Sequence, residues 1–407
     1  NKSAKQVIEI IKTEMQQAGK SLQELSVSDI PAYKLSLDKE LDLYFADSEK
    51  NIVFSNSESG LAQLQNKAVE NEPDIDRIKN SSNFKLATEK VEPNQNTILF
   101  AYGEIKKFVQ LAQELAPEIN QASSSLNIPN SSVVYKRDFD TGINDHAILV
   151  SDTPLKDSAG NAFDKLSSAE PILTKATSNP ITFFGVSGSI LNNILLEIEK
   201  QGLKAPIPDE VRTVKMLGLG ASPSSGQSIF PDIYCLIESD NSSKISELLK
   251  KTLSGAVKQQ ALPTSQWSTK EIEGVKADYI VSMLGIGVYL ANTDNYLAIG
   301  TSETALTALI KSINSGDNLL AGDLSNEATE IAKKNNNLIS WYINYPKLAD
   351  ALGSLQGSMA MFTGGKTSAT DELEKLKNMG KFTFNTYAKD NSLEIQSRLD
   401  LKAEENK

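Results

Sequence analysis

Two distant stretches of the chain share one pattern of apolar and polar positions. Residues 289–309 (YLANTDNYLAIGTSETALTAL) predict a strand, a polar turn, a second strand and then an amphipathic helix. Residues 44–64 (YFADSEKNIVFSNSESGLAQL) predict the same succession, and six of the 21 aligned positions are identical. In both stretches a Ser followed by a Glu marks the start of the helix. The pattern therefore indicates a repeated structural unit.

Segments that flank these stretches also have counterparts at a similar spacing, as a duplication requires. They are NTILFAYGEIKKFVQL from Asn96 with NLISWYINYPKLADAL from Asn337, VIEIIKTEM from Val7 with ISELLKKTL from Ile245, and the hairpin-like segments from Val133 and Phe382. The first pair predicts a strand that leads into a helix, and the second an amphipathic helix. The third pair predicts two alternating strands joined by a polar turn.

The arrangement of these elements predicts an α+β fold of two pseudo-repeated units, each a mainly antiparallel sheet with packed helices. Short polar turns join the predicted strands, whereas a parallel sheet would need helical crossovers. The first unit is predicted at residues 1–165 and the second at 166–407, with a linker at about 153–180 that contains Pro154, Pro171 and Pro180.

The second unit has about 60 residues before its helix at Ile245 that the first unit lacks. These residues predict strands at 181–185, 211–219 and 233–238, a helix at 187–200, and a Gly-rich loop at 218–226 (GLGASPSSG). We expect the counterpart of this stretch, and a signal or anchor segment, to precede Asn1.

Charge narrows the classes of partner. The 407 residues carry a net charge of -11 and contain no dense cluster of Lys and Arg. Nucleic-acid binding and attraction to an anionic membrane surface both require such a basic face, so neither is predicted.

Candidate chemistry is sparse. His146 is the single histidine and Cys235 the single cysteine, which excludes a multi-histidine zinc site and an intramolecular disulfide framework. We predict that His146 is a strand-edge residue and that Cys235 is a buried, unreactive thiol in an apolar strand. The sequence thus predicts no catalytic residue, no cofactor and no enzymatic activity.

One acidic segment has the spacing of a cation ligand set. Asp138, Asp140 and Asp145 surround Gly142, and alternating carboxylates around a Gly turn suit Ca²⁺. The segment departs from the EF-hand loop, because Ile143 stands where that loop needs Gly and no Glu closes it. The alternative interpretation is a solvated hairpin turn.

The repeated strings, together with ILFAYGEIKKFVQLAQEL and its partner from Leu338, resemble a family of bacterial exported or membrane-anchored proteins of unknown function. In that family a Tyr-rich strand, an Asp or Asn turn, an apolar strand ending in Gly-Thr-Ser and a helix recur behind an N-terminal signal or anchor. The resemblance implies an extracytoplasmic location, in the periplasm or cell envelope. The first stretch departs from the family pattern, since residues 54–57 (FSNS) stand where residues 299–302 (IGTS) stand in the second.

These observations predict a non-enzymatic exported protein that acts through its surfaces, in an envelope or larger assembly or as a protein-binding module. Its partners are expected to be proteins. The alternative is a carrier or sensor that holds an apolar small molecule or lipid in a pocket of a curved sheet.

Overall fold

The fold is described here from a computed structural model. It describes residues 8–9, 11–13, 22–27, 30–38, 41–48, 51–55, 57–62, 84–85, 88–89, 91–104, 131–151, 171–200, 207–224, 230–259, 266–281, 287–322, 324–363, 370–389 and 391–401. The chain divides into two compact units, Asn1–Lys85 and Leu86–Lys407.

The first unit contains a four-stranded antiparallel sheet in which each strand pairs with the next along the chain. Its strands are β1 (Leu22–Val27), β2 (Ile30–Asp38), β3 (Leu41–Ser48) and β4 (Asn51–Ser55). Residues 58–62 are helical. Val27, Ala32, Ala46 and Leu61 form a buried cluster, because alternate residues of these strands face the same side.

The second unit contains a thirteen-stranded sheet whose neighbouring strands are all antiparallel. Its strands are β5 (Thr97–Glu104), β6 (Ser131–Phe139), β7 (Gly142–Ser151), β8 (Thr182–Ser187), β9 (Val214–Ser222), β10 (Asp232–Ser239), β11 (Ser268–Ile272), β12 (Val275–Val281), β13 (Gly287–Thr293), β14 (Tyr296–Gly300), β15 (Asn337–Asn344), β16 (Met379–Lys389) and β17 (Ser392–Leu401). Their order across the sheet is β11-β12-β13-β14-β10-β9-β8-β15-β16-β17-β7-β6-β5.

Helices connect and cover these strands. They are α1 (Gly188–Lys200), α2 (Asp209–Arg212), α3 (Ser242–Gln259), α4 (Glu303–Ser315), α5 (Asn326–Ala332), α6 (Tyr345–Thr363) and α7 (Thr370–Asn378), with 3-10 turns at Ile172–Lys175 and Leu319–Ala321. The Ser302 side chain caps α4 by accepting a hydrogen bond from the Ala305 amide. Among the helices in the described part of the chain, none is long and apolar enough to cross a membrane.

The main core lies on one side of the large sheet, which we call the core side. Phe183, Tyr234 and Leu236 are fully or almost fully buried there against Leu306 and Leu309 of α4. The 3-10 turn at Ile172–Lys175 closes the same cluster with two buried side chains. Burial of this many large side chains makes the core side the chief source of stability in the unit.

The opposite side of the sheet is covered only in part by helices. Leu290 and Leu297 pack there with Ile245 of α3 and Leu191 of α1. The two helices thus protect the ends of β9 and β10 near Leu217 and Ile237.

The predicted α+β class with antiparallel sheets is confirmed. The division into units differs from the predicted boundary at residue 165, because β7 pairs with β17 along its length and so belongs to the large sheet. The end of the predicted 153–180 linker is likewise not a free connection. Ile172 and Leu173 are core residues, and Thr177 forms a bridge with Asn318.

The loop predicted at 218–226 is in part a strand, since β9 continues to Ser222. Gly218 and Gly220 lie inside β9, where an added Cβ would come within 2.7 Å of the Phe183 ring and 2.2 Å of the Tyr234 ring. These glycines make room for aromatic rings. The strand predicted at 211–219 already contained Gly218, whereas the turn interpretation was wrong for Gly220.

Candidate functional site

A row of apolar side chains crosses the large sheet on the side away from the main core. Directly opposed residues of antiparallel strands project to the same side, and the opposed pairs here link five strands in succession. The row consists of Phe384 in β16, Trp341 in β15, Phe184 in β8, Leu219 in β9 and Cys235 in β10. Each of these positions alternates along its strand with a core-side residue.

Much of this apolar surface is open to water. Phe184, Trp341, Leu219 and Ile233 are between 38% and 54% exposed. Phe382 lies beside the row, and its ring meets the Trp341 ring edge-on at 6.3 Å and stacks with the Phe384 ring at 6.4 Å. We call Phe184, Leu219, Ile233, Trp341, Phe382 and Phe384 the apolar patch, and the side of the sheet that carries it the patch side.

The Trp341 ring is held in place by a polar contact. Its Nε1 donates a hydrogen bond of 3.2 Å to Thr182 Oγ1, and that hydroxyl donates to the Tyr342 carbonyl at 2.9 Å. A buried or half-buried indole N–H needs such a partner. The ring therefore presents a fixed apolar surface with its polar atom already satisfied.

Along the same side, beyond β17, the row becomes charged. Ser397 is opposite Asp145 in β7, and Asp145 is opposite Arg137 in β6. Arg137 binds the Asp145 carboxylate with two nitrogens at 2.6 and 3.0 Å, and the Tyr135 hydroxyl donates to the same carboxylate. Burial acts to raise the pKa of Asp145, but these hydrogen bonds outweigh it and the pKa is lowered. The patch is thus bordered by charged residues on the side of β17, β7 and β6.

The three carboxylates predicted as a calcium ligand set do not converge. Asp138 is opposite Asn144, one position along from the Arg137–Asp145 pair, so Asp138 and Asp145 project to opposite sides of the sheet. Asp138 accepts hydrogen bonds from Thr97 and Asn94 and forms an ion pair with Lys136. Among the described residues, no group of three or more His, Cys, Asp or Glu side chains is placed to hold a metal ion.

The third of these carboxylates belongs to a structural ion cluster. Asp140 accepts a hydrogen bond of 2.9 Å from Arg398, whose side chain is fully buried and also binds Asp400 at 2.6 Å. Asp140 additionally accepts from the Gly142 amide, as in a hairpin turn stabilised by its own side chain. A buried guanidinium requires such pairing, so this cluster is explained by folding alone.

His146 and Cys235 occupy ordinary strand positions. His146 lies in the middle of β7 rather than at a strand edge, with its Nε2 3.2 Å from Gln396 Nε2 and 3.5 Å from Glu394. Cys235 lies in β10, where burial raises the pKa of its thiol to about 12. A thiol with that pKa remains protonated at neutral pH and is a poor nucleophile.

The patch was not among the sites predicted from the sequence. Its signal is present in residues 181–186 (ITFFGV) and 338–343 (LISWYI), where both alternating sets of positions are apolar. A strand with one side in water normally alternates apolar and polar residues, whereas an apolar strand on both sides indicates that both are covered. Here the core side of each strand is covered, whereas the patch side is covered only in part: Val186 and Ile343 are buried there, but Phe184 and Trp341 are exposed.

Comparisons with known proteins are uninformative for this chain. No family model matches the chain, and no curated protein matches it. Crystal form IV of TP0453 is similar with a TM-score of 0.31 and 9% identity, covering 57% of this chain and 82% of that one. Crystal form I of TP0453 has a TM-score of 0.28 and 11% identity, covering 59% and 82%. At these TM-scores the similarity supports no inference.

Proposed function

We propose that this chain is a non-enzymatic binding protein, built from two repeats of one unit, that engages a protein partner through the apolar patch. The observation that carries the binding function is the exposure of Trp341, Phe184 and their neighbours on the patch side. Contiguous exposed apolar surface rimmed by polar residues marks interaction sites in soluble proteins. Aromatic residues at the centre of such a surface typically supply most of the binding energy.

A protein partner fits this surface better than a membrane or a nucleic acid does. The Arg137–Asp145 pair at the rim is internally neutralised, and the whole chain carries a net charge of -11. Anionic lipids and phosphates would be repelled by that net charge. An apolar centre with a polar rim is the usual composition of a protein interface.

The strand pairings support the duplication. Ala32 pairs with Ala46 in the first unit, and Ala277 pairs with Ala291 in the second, so both partners shift by 245 residues (277 less 32, and 291 less 46). The same shift relates the β1–β2 and β3–β4 registers to the β11–β12 and β13–β14 registers. Registers of independent origin have no reason to agree in this way.

The helix that follows each hairpin supports the duplication further. Ser57 Oγ accepts a hydrogen bond of 3.1 Å from the Gly60 amide, as Ser302 Oγ accepts one of 3.0 Å from the Ala305 amide. Leu61 and its counterpart Leu306 are both completely buried. An experimental structure in which residues 22–62 follow a different pairing order from residues 267–307 would contradict the duplication.

The binding function is tested by removing the patch. Phe184→Thr with Trp341→Thr keeps residues suited to strands while removing both rings, and Leu352→Gln in α6 is the control because Leu352 is equally exposed outside the patch. Each of the three chains is immobilised and exposed to an extract of the producing cells. A protein that the natural chain and the control retain, but the patch variant does not, is purified. Its binding to each chain is then measured by calorimetry. The patch variant should bind at least about tenfold more weakly.

Two outcomes would overturn this function. In the first, the purified proteins bind the patch variant as tightly as they bind the natural chain. In the second, the patch variant keeps its protein binding and loses only the binding of a fatty acid or an apolar dye. The second outcome would favour the carrier alternative.

An exported location, which the family resemblance implies, belongs to the same proposal. Fractionation of the producing cells tests it, with the chain expected in the periplasmic or envelope fraction. Recovery with the cytosol would contradict the location without affecting the binding function.

A further inference from the structure

β5 is the last strand at one end of the thirteen-stranded sheet. Within the described structure it pairs with β6 on one side, and no strand pairs with its other edge. Its sequence, TILFAYGE, has one charged residue, at its end, and Ile98 and Leu99 are 65% and 48% exposed. Natural edge strands are usually guarded by charged residues or Pro, because an open edge recruits other strands. An apolar edge of this kind indicates that a strand covers it.

β15 shows which kind of strand fits such an edge. β5 and β6 pair with a register shift between Thr97 and Leu99, and β15 and β16 pair with the same shift between Asn337 and Ile339. A bulge occupies a defined place in a strand pair, so a bulge at the same place in both pairs indicates that β5–β6 corresponds to β15–β16. The far edge of β15 is occupied by β8, which runs antiparallel to it.

The pairing of β15 with β8 specifies a register for the free edge of β5. The shared bulge aligns Leu99 with Ile339, one position from the correspondence predicted from the sequence, in which Asn96 matches Asn337. Ile339 is opposite Val186 in β8. Phe100 then corresponds to Ser340, which is opposite Gly185, and Ala101 to Trp341, which is opposite Phe184. In this register the large Phe100 would face a glycine and the small Ala101 would face a phenylalanine, so the side-chain sizes are complementary.

We infer that the free edge of β5 is a binding site for an extended, uncharged, Phe-containing segment of the β8 type, which adds to the sheet as an antiparallel strand. β8 itself, TFFGVS, contains no charged residue. Main-chain hydrogen bonds along the edge supply affinity in this mode, and the alternating side chains supply specificity. The inference rests on the duplication proposed above and not on the apolar patch.

The experiment uses the full chain and a labelled peptide with the sequence of residues 180–188 (PITFFGVSG) flanked by lysines for solubility. Fluorescence anisotropy should show saturable binding of one peptide per chain. Leu99→Lys with Ala101→Lys places two charges at the edge and should weaken binding more than tenfold. Leu401→Lys, at the end of β17, is the control because that residue is also exposed and apolar. It should bind the peptide like the natural chain.

Cross-linking tests the register. A Leu99→Cys chain should form a disulfide with a peptide that carries Cys in place of Val186, since opposed residues of an antiparallel pair lie close enough for that bond. A peptide with Cys in place of Phe183 should not cross-link. The patch variant Phe184→Thr with Trp341→Thr should still bind the peptide, which separates failure of this site from failure of the proposed function.

Three results would overturn the inference. The peptide could fail to bind, or it could bind the edge variant as tightly as the natural chain. Alternatively, two Leu99→Cys chains could cross-link to each other without peptide, which would make a second copy the occupant of the edge.

Discussion

The two sides of the large sheet are built from the same strands but have different surroundings. Phe183 on the core side of β8 is completely buried, whereas its neighbour Phe184 on the patch side is 38% exposed. Tyr342 and Trp341 form a similar pair in β15. The residue types hardly differ between the sides, so composition cannot distinguish the core from a binding surface. What differs is that helices and 3-10 turns cover the core side across these strands, whereas α1 and α3 cover the patch side only in part and leave Phe184 and Trp341 exposed.

Among substitutions that distinguish the two sides, we expect Phe183→Ala to reduce the free energy of unfolding the most. Its ring stacks with the Tyr234 ring at 6.2 Å inside the main core, so truncation leaves a cavity and should cost about 3–5 kcal/mol of unfolding free energy. Phe184→Ala is the matched control and should cost about 1 kcal/mol or less. Urea denaturation followed by Trp fluorescence measures both. Equal costs would show that the patch is covered in solution.

Gly220→Ala should have the next largest effect. A Cβ at this position would lie 2.2 Å from the Tyr234 ring, and relieving the overlap should cost about 1–3 kcal/mol. Adding Tyr234→Leu should restore part of that cost, which a double-mutant cycle measures. Gly255→Ala in α3 is the control, because an added Cβ meets nothing there and should stabilise the helix by about 0.5–1 kcal/mol. Additive effects of the Gly220 and Tyr234 changes would contradict this explanation.

The pH dependence of stability can be compared between the two sides through one carboxylate on each. Burial acts to raise the pKa of Asp138 on the core side and of Asp145 on the patch side, but hydrogen bonds and a neighbouring cation lower both. A lowered folded-state pKa adds stability that is present above the unfolded value, about 3.9, and is lost as the pH falls through the folded value. Asp138→Asn and Asp145→Asn should therefore each flatten the acid side of the plot of unfolding free energy against pH.

Salt should affect the stability contributions of Asp138 and Asp145 to different extents. The Asp145 side chain is 27% exposed and that of Asp138 is 12% exposed. Screening acts mainly on exposed charges, so 1 M NaCl should reduce the effect of Asp145→Asn more than that of Asp138→Asn. Denaturation curves at pH 6 with and without salt give the measurement. Equal sensitivity to salt would mean that the two carboxylates have similar access to water.

The smallest expected effect is on the reactivity of Cys235, which lies between the exposed apolar patch and the part of the patch side that α1 and α3 cover. Because burial raises the pKa of this thiol to about 12, iodoacetamide at pH 8 should react with it far more slowly in the folded chain than in urea. Mass spectrometry follows the modification. A similar rate in both states would show that the thiol of Cys235 is open to solvent in the folded chain.

Local elements were largely predictable from the pattern of the chain. The strand, turn, strand and capped helix predicted at 289–309 are β13, β14 and α4, and the Ser predicted to start the helix does cap it. The helix predicted at 187–200 is α1, and the hairpins predicted from Val133 and Phe382 are β6–β7 and β16–β17. These elements depend on periodicity and on capping residues, which act within a few positions.

The candidate sites were less predictable because they depend on which side of a strand a residue faces and on what covers that side. Asp138 and Asp145 are close in sequence but project to opposite sides, since seven positions along a tight hairpin reverse the chain and change the register. Gly220 was interpreted as a turn residue because a neighbouring strand's aromatic ring leaves no mark in the local sequence.

By itself, the sequence determined the α+β class, the antiparallel hairpins and the spacing of the similar segments, because hydrophobic alternation and turn chemistry are local properties of a chain. Only the tertiary structure decided that β7 pairs with β17 and that Trp341 remains open to water. Backbone groups at a strand edge are the same for every sequence, and burial depends on which helices pack on which side. The binding surface and the free edge of β5 therefore became visible only once the strands were assembled into a sheet.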